Sequence, residues 1–131
     1  MKITPVLFVD QIEPCLAFWV DRLGFEKTVE VPDGNRLGFV ALQKGAGEVM
    51  LQTFESTRKD VGERAAPVES KTYLYIEVED FAGVLKHIHG VDVVVPERST
   101  FYGMREIAVR EPGGHVVCFA ARESASNSTS A

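Results

Sequence analysis

The sequence predicts an α+β protein made of two successive modules, each with the element order β-α-β-β-β. Apolar patterns of strand and helix period give this order in the first half of the chain, and the order returns in the second half. When the chain is aligned with itself, a single offset matches Thr4 with Tyr73 and Val9 with Val78, which indicates a repeated module. With 131 residues, of which 45% are hydrophobic, the chain is long enough for a substantial core.

The first module begins with a strand at residues 3–9, which are rich in branched and aromatic side chains. The stretch DQIE at residues 10–13 resembles a capping box, Pro14 suits a first helical turn, and Gly24 suits a helix end. Between them, four apolar residues recur at helical spacing: Leu16, Trp19, Val20 and Leu23. Three strands are predicted next, separated by the turns PDGN and KGAG, at residues 25–31, 36–42 and 48–54.

The second module follows a polar segment, residues 56–71, which we predict to be a solvated connector. Its predicted elements are a strand at 73–78, a helix containing Val84, Leu85 and Ile88, and strands at 92–95, 102–110 and 115–119. The turn EPGG precedes the last strand. We therefore predict one domain over residues 1–123, with module one at 1–55, module two at 72–123, and a polar tail at 124–131.

Composition excludes some classes of function. A net charge of −5 argues against nucleic-acid binding, because phosphates need basic partners. No apolar run is long enough to span a membrane, and the first residues lack the pattern of a signal peptide. Two isolated cysteines, Cys15 and Cys118, predict free thiols in a reducing compartment, so we expect a cytoplasmic protein.

Two longer stretches carry a family resemblance. VDQIEPCLAFWVDRLGF, residues 9–25, closely resembles the first strand-to-helix segment of the vicinal oxygen chelate superfamily, which includes glyoxalase I, bleomycin-resistance proteins and extradiol dioxygenases. HGVDVVVPERSTFYGMREIAVREPGGHVV, residues 89–117, resembles the second-module hairpin of that superfamily. The resemblance covers residues 3–121. It implies two βαβββ modules whose mixed sheets curl around a cleft, commonly in a homodimer, with a small molecule or a divalent metal in the cleft.

The resemblance also implies where metal ligands stand in the metal-dependent members, namely in the first and fourth strands of each module. The matching positions are Thr4, Met50 or Gln52, Tyr73 and Cys118. These side chains do not suit a hard divalent cation, which prefers carboxylate and imidazole ligands. We therefore expect no metal, no cofactor and no catalytic residue.

Strand alternation separates two sets of side chains. The set expected to pack under the helices is Leu7, Val9, Leu51, Ile76, Val78, Val109, Val117 and Phe119. The candidate ligand-binding set is Phe8, Phe39, Met50, Gln52, Phe54, Tyr73, Tyr75, Glu77, Tyr102, Glu106 and Cys118. Aromatic and sulfur-containing side chains with a few polar groups are typical of a small-molecule site. The alternative is that they fill the cleft or a dimer interface as a core does.

Carboxylates and histidines offer weaker candidates for chemistry. Glu77 and Glu106 could form an acid–base pair, but pairing with Arg105 or Arg110 at a sheet rim is the favoured interpretation. The three histidines are expected at the surface: His87, His89 and His115.

The leading hypothesis for function is metal-independent binding of a small aromatic or cationic molecule, drug-like or a metabolite, as in bleomycin-resistance-like antibiotic resistance proteins. The acidic balance of the chain favours a cationic ligand. One alternative is a divalent-metal-dependent lyase, isomerase or dioxygenase of the same superfamily. Another is a fold that serves only for assembly.

Overall fold

Two four-stranded mixed sheets make up the computed structural model, which describes residues 1–123. Backbone contacts divide the described chain into unit 1, residues 1–72 with 112–114, and unit 2, residues 73–111 with 115–123. The predicted α+β class with two modules is confirmed. The predicted polar tail, residues 124–131, lies outside the described residues, and the assignment of residues 1–123 to one domain stays a prediction. No helix within residues 1–123 is long and apolar enough to cross a membrane.

Unit 1 contains a sheet with the strand order β1-β4-β3-β2, in which β1 runs parallel to β4 and the other neighbours are antiparallel. Its elements are β1 Val6–Val9, α1 Glu13–Leu16, a π-helical segment Ala17–Arg22, β2 Glu26–Asp33, β3 Arg36–Lys44, β4 Gly47–Thr53 and α2 Phe54–Val61. Leu7, Val9 and Leu51 are buried, as strand alternation predicts. The predicted first strand begins too early, because Pro5 has no N–H to continue the ladder.

The helix after β1 departs from the predicted spacing because it contains a π-helical turn. The N–H of Leu23 donates to the carbonyl of Phe18 at 3.0 Å, an i to i+5 bond that adds a residue to the turn. The added residue shifts the buried face. Trp19 and Leu23 are buried as predicted, whereas Leu16 and Val20 are only half-buried. The residues that complete the buried face are Ile12, Cys15 and Phe18.

The predicted capping box at the start of this helix is wrong. Ile12 occupies the N-cap position and provides no side-chain hydrogen bond. The Glu13 carboxylate instead accepts a hydrogen bond from the backbone N–H of Leu37 in β3, at 2.7 Å. The carboxylate therefore ties the helix to the sheet. The predicted helix end is confirmed, since Gly24 adopts a φ of 79°.

The predicted connector begins with a helix, α2, rather than with irregular chain. Thr53 caps it: its hydroxyl accepts a hydrogen bond from the N–H of Ser56 at 3.0 Å. Phe54, predicted to end the preceding strand, opens the helix. Gly38 in β3 allows a close approach, because a Cβ there would lie 2.8 Å from the Asp33 Cβ and 3.0 Å from the Ser56 hydroxyl oxygen.

Unit 2 repeats the topology of unit 1, with the strand order β5-β8-β7-β6. Its elements are β5 Tyr73–Glu77, α3 Phe81–His87, β6 Asp92–Ser99, β7 Met104–Arg110 and β8 Val116–Arg122. The side chain of Asp80 caps α3 through the N–H of Gly83, at 3.0 Å. Of the predicted helix-facing residues, Val109, Val117 and Phe119 are buried. Ile76 and Val78, at the edge of this sheet, are half-buried.

His115 is fully buried, so its predicted surface position is wrong. Two hydrogen bonds close the turn that precedes His115. In the first, the N–H of Glu111 donates to the His115 carbonyl at 2.8 Å. In return, the N–H of His115 donates to the Glu111 carboxylate at 2.9 Å. This pair of bonds fixes both residues in the interior, and Glu111 is itself buried. His87 and His89 are exposed, as predicted.

Replacing Trp19 with Ala tests the packing of unit 1. Trp19 is fully buried and contacts Phe18 and Phe25 edge-on, with ring centroids 5.3 Å away in each case. The cavity should lower the free energy of unfolding by about 3–5 kcal/mol, measured by urea denaturation. Val20→Ala, at a half-buried position of the same helix, serves as the control and should cost less. A Trp19→Ala protein that melts within about a degree of the parent would contradict a core role for this side chain.

Candidate functional site

One row of side chains crosses all four strands of unit 1 on the face opposite its buried core. The strand register pairs Phe8 with Gln52, Gln52 with Phe39, and Phe39 with Val31. Cross-strand partners share a face, so the four side chains form one continuous surface. This surface is apolar apart from the Gln52 amide. Phe8, Gln52 and Phe39 are half-buried and Val31 is exposed, as expected for an open sheet face.

A groove of about 420 Å³ lies over part of this row. It is lined by Val31, Pro32, Asp33, Phe39, Gln52, Ser56, Lys59 and Asp60. Helix α2 contributes Ser56, Lys59 and Asp60, whose i, i+3 and i+4 spacing places them on one side of the helix. The Gln52 amide donates to the Ser56 hydroxyl at 3.3 Å and links the sheet to the helix. The volume is in the range typical of small-molecule sites.

Unit 2 presents the corresponding row on its own sheet, where three of the four side chains are charged. The register pairs Glu77 with Ala120, Ala120 with Glu106, and Glu106 with Arg98. The Glu106 side chain is buried, with 3% of the residue exposed. Because β8 lies between β5 and β7, Glu77 and Glu106 are two strands apart, and Glu77 is exposed.

Three donors surround the Glu106 carboxylate. The Tyr75 and Tyr102 hydroxyls donate to its Oε2 at 2.5 and 2.7 Å. The Arg98 guanidinium donates to its Oε1 at 3.1 Å. The predicted partners are therefore wrong: Arg105 pairs with Glu97 and Arg110 with Asp92. Those two arginines pair with carboxylates on the neighbouring strand, β6, whereas Glu106 is reached from three separate elements.

Small residues explain how a tyrosine reaches across the sheet. Tyr75 stands on β5, and its hydroxyl bonds a carboxylate on β7, so the side chain must pass over β8. The residues on that face of β7 and β8 are Ala108, Cys118 and Ala120, all fully buried. Larger side chains at these positions would occupy the path of the tyrosine. The face is therefore filled by the protein's own phenols and not by bulky residues of the central strands.

The Glu106 cluster holds one ionised carboxylate among neutral phenols. Burial raises the pKa of the Glu106 carboxyl, but hydrogen bonds from Tyr75, Tyr102 and Arg98 outweigh burial, and the pKa lies below its ordinary value. The bond to Glu106 and partial desolvation raise the pKa of the Tyr75 and Tyr102 hydroxyls. Both carboxylate oxygens already accept hydrogen bonds, which makes Glu106 a structural acceptor at neutral pH.

Cys118 and Tyr73 form a second polar contact in unit 2. Burial raises the pKa of the Cys118 thiol, against a smaller opposing effect of its hydrogen bond with the Tyr73 hydroxyl. Desolvation and the same contact raise the pKa of Tyr73. Both groups are therefore protonated at neutral pH, and the thiol is not activated as a nucleophile. Cys118 is 1% exposed, whereas Tyr73 is 58% exposed.

The predicted ligand-binding residues fall into two groups, one in each unit. Phe8, Phe39, Met50, Gln52 and Phe54 belong to unit 1, and Tyr73, Tyr75, Glu77, Tyr102, Glu106 and Cys118 belong to unit 2. In unit 1, the Phe8 and Phe54 rings lie 6.3 Å apart between centroids. In the same unit, the Glu48 carboxylate pairs with Lys2 and accepts a hydrogen bond from Thr4, both at 2.9 Å.

The sequence analysis did not identify several residues of the site. Arg98 was missed because the strand was expected to stop before Pro96, yet β6 continues to Ser99. Proline is tolerated there because β6 is an edge strand. Ser56, Lys59 and Asp60 were missed with their helix. The signals that identify α2 are the Thr53 cap, an acidic residue in the first turn and basic residues in the last turn.

Within residues 1–123, no group of three or more His, Cys, Asp or Glu side chains is arranged to hold a metal ion. The first-strand position Thr4 is engaged with Glu48, and Tyr73 with the Cys118 thiol. Neutral hydroxyl, thiol, thioether and amide groups at the four family positions do not fit a hard divalent cation.

Replacing Glu106 with Gln tests the carboxylate cluster. Loss of the charge-assisted bonds should lower the free energy of unfolding by about 1–3 kcal/mol near neutral pH. Because the folded-state pKa is depressed, this stabilisation is present above the unfolded pKa of about 4.3 and is lost as the pH falls through the folded pKa. The difference between parent and variant in urea denaturation should therefore shrink in acid.

Glu77→Gln is the matched control for this substitution, because Glu77 is an exposed carboxylate in the same row. Its stability should stay within about 0.5 kcal/mol of the parent. Equal stability of Glu106→Gln and the parent at neutral pH would show that the cluster does not stabilise unit 2.

Solved structures share the fold over nearly the whole chain. TioX from Micromonospora sp. ML1 is 20% identical with a TM-score of 0.75, covering 93% of this chain and 98% of that chain. Lactoylglutathione lyase from Agrobacterium tumefaciens is 16% identical with a TM-score of 0.73, covering 92% of each chain. The bleomycin-binding protein of bleomycin-producing Streptomyces verticillus, in complex with copper(II)-bleomycin, is 26% identical with a TM-score of 0.60, covering 94% of this chain and 97% of that chain.

A comparison with curated proteins finds no match. The family model named Glyoxalase/Bleomycin resistance protein/Dioxygenase superfamily matches residues 3–119, nearly the whole described chain. This match confirms the resemblance carried by the two motifs. The chain therefore belongs to the glyoxalase/bleomycin resistance protein/dioxygenase superfamily.

Proposed function

We propose that this protein binds a small aromatic or cationic molecule, without metal and without catalysis, on the open sheet face of unit 1. The observation that carries the proposal is the groove of about 420 Å³ over the row that contains Phe39 and Gln52. Val31, Pro32 and Phe39 give the groove an apolar surface, and five polar residues complete its lining. A concave site of this size that combines apolar surface with polar groups able to orient a ligand is a usual form of small-molecule site.

The Glu106 cluster supports binding over acid–base chemistry. A general base needs a free lone pair directed at its substrate and a pKa near the working pH. Glu106 has a depressed pKa, and both of its oxygens are engaged by side chains of unit 2. The predicted partner Glu77 stands two strands away. No acid–base pair is formed by these two carboxylates.

The structural neighbours are compatible with more than one function, since they include a bleomycin-binding protein and a lactoylglutathione lyase. A shared fold does not decide between them, so the side chains must. The side chains at the four positions that hold metal ligands in the metal-dependent members do not suit a divalent cation, and this favours binding without metal over metal-dependent catalysis. We also propose that the protein forms a homodimer. The support for this proposal is a set of exposed aromatic side chains in unit 2, namely Tyr73, Tyr75, Phe101 and Tyr102. A cytoplasmic location stays a prediction.

Replacing Phe39 with Ala tests ligand capture. A panel of flat aromatic molecules, beginning with aminoacridine, should raise the melting temperature of the parent, because ligand binding to the folded state stabilises it. Phe39→Ala should lose most of this shift while costing about 1 kcal/mol or less of stability, because an open groove supports the ring on one side only. Val93→Ala, an exposed apolar position in unit 2, should behave like the parent.

A stability loss of about 3–5 kcal/mol in Phe39→Ala, with no panel member shifting the parent, would overturn the binding proposal in favour of a filled structural face.

Metal removal separates binding from the metalloenzyme alternative. Elemental analysis of the purified protein should find no stoichiometric Zn, Ni, Mn or Fe. EDTA should leave the melting temperature unchanged, because no metal-binding free energy is lost. One tightly held metal per chain would overturn the proposal and favour a lyase, isomerase or dioxygenase.

A further inference from the structure

We propose that the unit 1 groove selects organic monocations, with Asp60 on α2 as the residue that determines charge specificity. This inference rests on the proposed function, because it names the class of ligand that the same groove takes. The ligand is a molecule with an apolar, ring-containing body and one ammonium group.

The charges beside Asp60 neutralise one another. Lys59 lies 2.8 Å from the Asp33 carboxylate and 3.5 Å from Glu55, and Arg36 lies 2.9 Å from Glu55. Two cations and two carboxylates therefore form a network without net charge. The hydrogen bond to Asp33 is the main cause that raises the pKa of the Lys59 ammonium, which keeps this group charged at neutral pH.

Asp60 stands outside this network. It is exposed and lines the groove, and its carboxylate has no ion pair or hydrogen bond with any residue in the described range 1–123. Asp60 therefore carries the one carboxylate of the groove that no basic side chain neutralises. A cation in the groove gains this attraction, and an anion is repelled by the same charge.

One further polar atom of the groove, the Gln52 carbonyl oxygen, also suits a ligand that donates hydrogen bonds. The Gln52 amide nitrogen is engaged by the Ser56 hydroxyl, which leaves the Gln52 carbonyl oxygen as an acceptor. With the Asp60 carboxylate, the groove thus offers acceptors for the N–H groups of an ammonium. Phe39 and Val31 provide the apolar surface for the rest of the ligand. Charge, hydrogen-bonding capacity and apolar area all favour the same class of molecule.

Three naphthalene probes that differ in charge test the proposal by titration calorimetry. They are naphthylethylammonium, the neutral naphthylethanol and the anionic naphthylpropionate. At low ionic strength the ammonium should bind the parent about five- to tenfold more tightly than the alcohol, and the propionate more weakly than the alcohol. The preference should decrease as salt is added, because the attraction acts near the surface.

Three variants assign the preference to its residue. Asp60→Asn should reduce the preference for the ammonium over the alcohol to less than about twofold and leave the affinity for the alcohol unchanged. Asp21→Asn changes another exposed carboxylate, which does not line the groove, and should keep the parental preference. Lys59→Gln removes the ammonium that neutralises Asp33 and should increase the preference further.

The outcomes separate the two proposals. If ammonium and alcohol bind the parent equally, or if Asp60→Asn keeps the parental preference, the charge specificity is wrong while small-molecule binding stands. If Phe39→Ala weakens all three probes by the same factor and Asp60→Asn weakens only the ammonium, both proposals hold. If none of the probes, nor any member of the aromatic panel, binds the parent, the proposed function fails and the inference fails with it.

Discussion

The buried carboxylate of Glu106 is the constraint around which the face of the second sheet is arranged. An ionised group in this position is stable only if hydrogen-bond donors replace the water it has lost. The donors come from three separate places in the chain: Tyr75 on β5, Arg98 on β6, and Tyr102 in the turn before β7. The edge strands and the hairpin are thus held to one point on β7.

The two units share one strand order but present chemically different sheet faces. In unit 1 the cross-strand row is mostly apolar and lies under an open groove, with Phe39 on the third strand. In unit 2 the residue in the same place of the topology is Glu106, and tyrosines cover it. The two units share a strand order, and their side chains decide how open each face is. The fold alone therefore does not identify the functional surface.

Local periodicity predicted the fold well, because element order and the burial of Trp19 follow from spacing along the chain. It failed where one extra hydrogen-bonding step changed the spacing, as in the π-helical turn at Phe18 and Leu23. It also failed for α2, which begins at the Thr53 cap and carries ion pairs but has no apolar stripe for periodicity to detect.

The partners of Glu106 were not predictable from the same patterns. They are joined through strand register and the reach of long side chains, and two β-bulges in β6 alter that register before Arg98. Predicting which face of a strand a residue occupies was possible. Predicting which atom it bonds was not, because sequence spacing does not fix cross-strand neighbours.

Because Gly38 has no side chain, Asp33 and the Ser56 side chain of α2 can both lie close to β3, and this close approach limits the width of the groove. Asp33 and Ser56 both line the groove, and both would collide with any Cβ at this position. A larger residue at position 38 of this chain would therefore have to displace Asp33 or move α2, which carries Ser56, away from β3. The bare backbone at position 38 thus works as a spacer of minimal thickness, which lets the helix and the β2–β3 hairpin close on the groove from both sides.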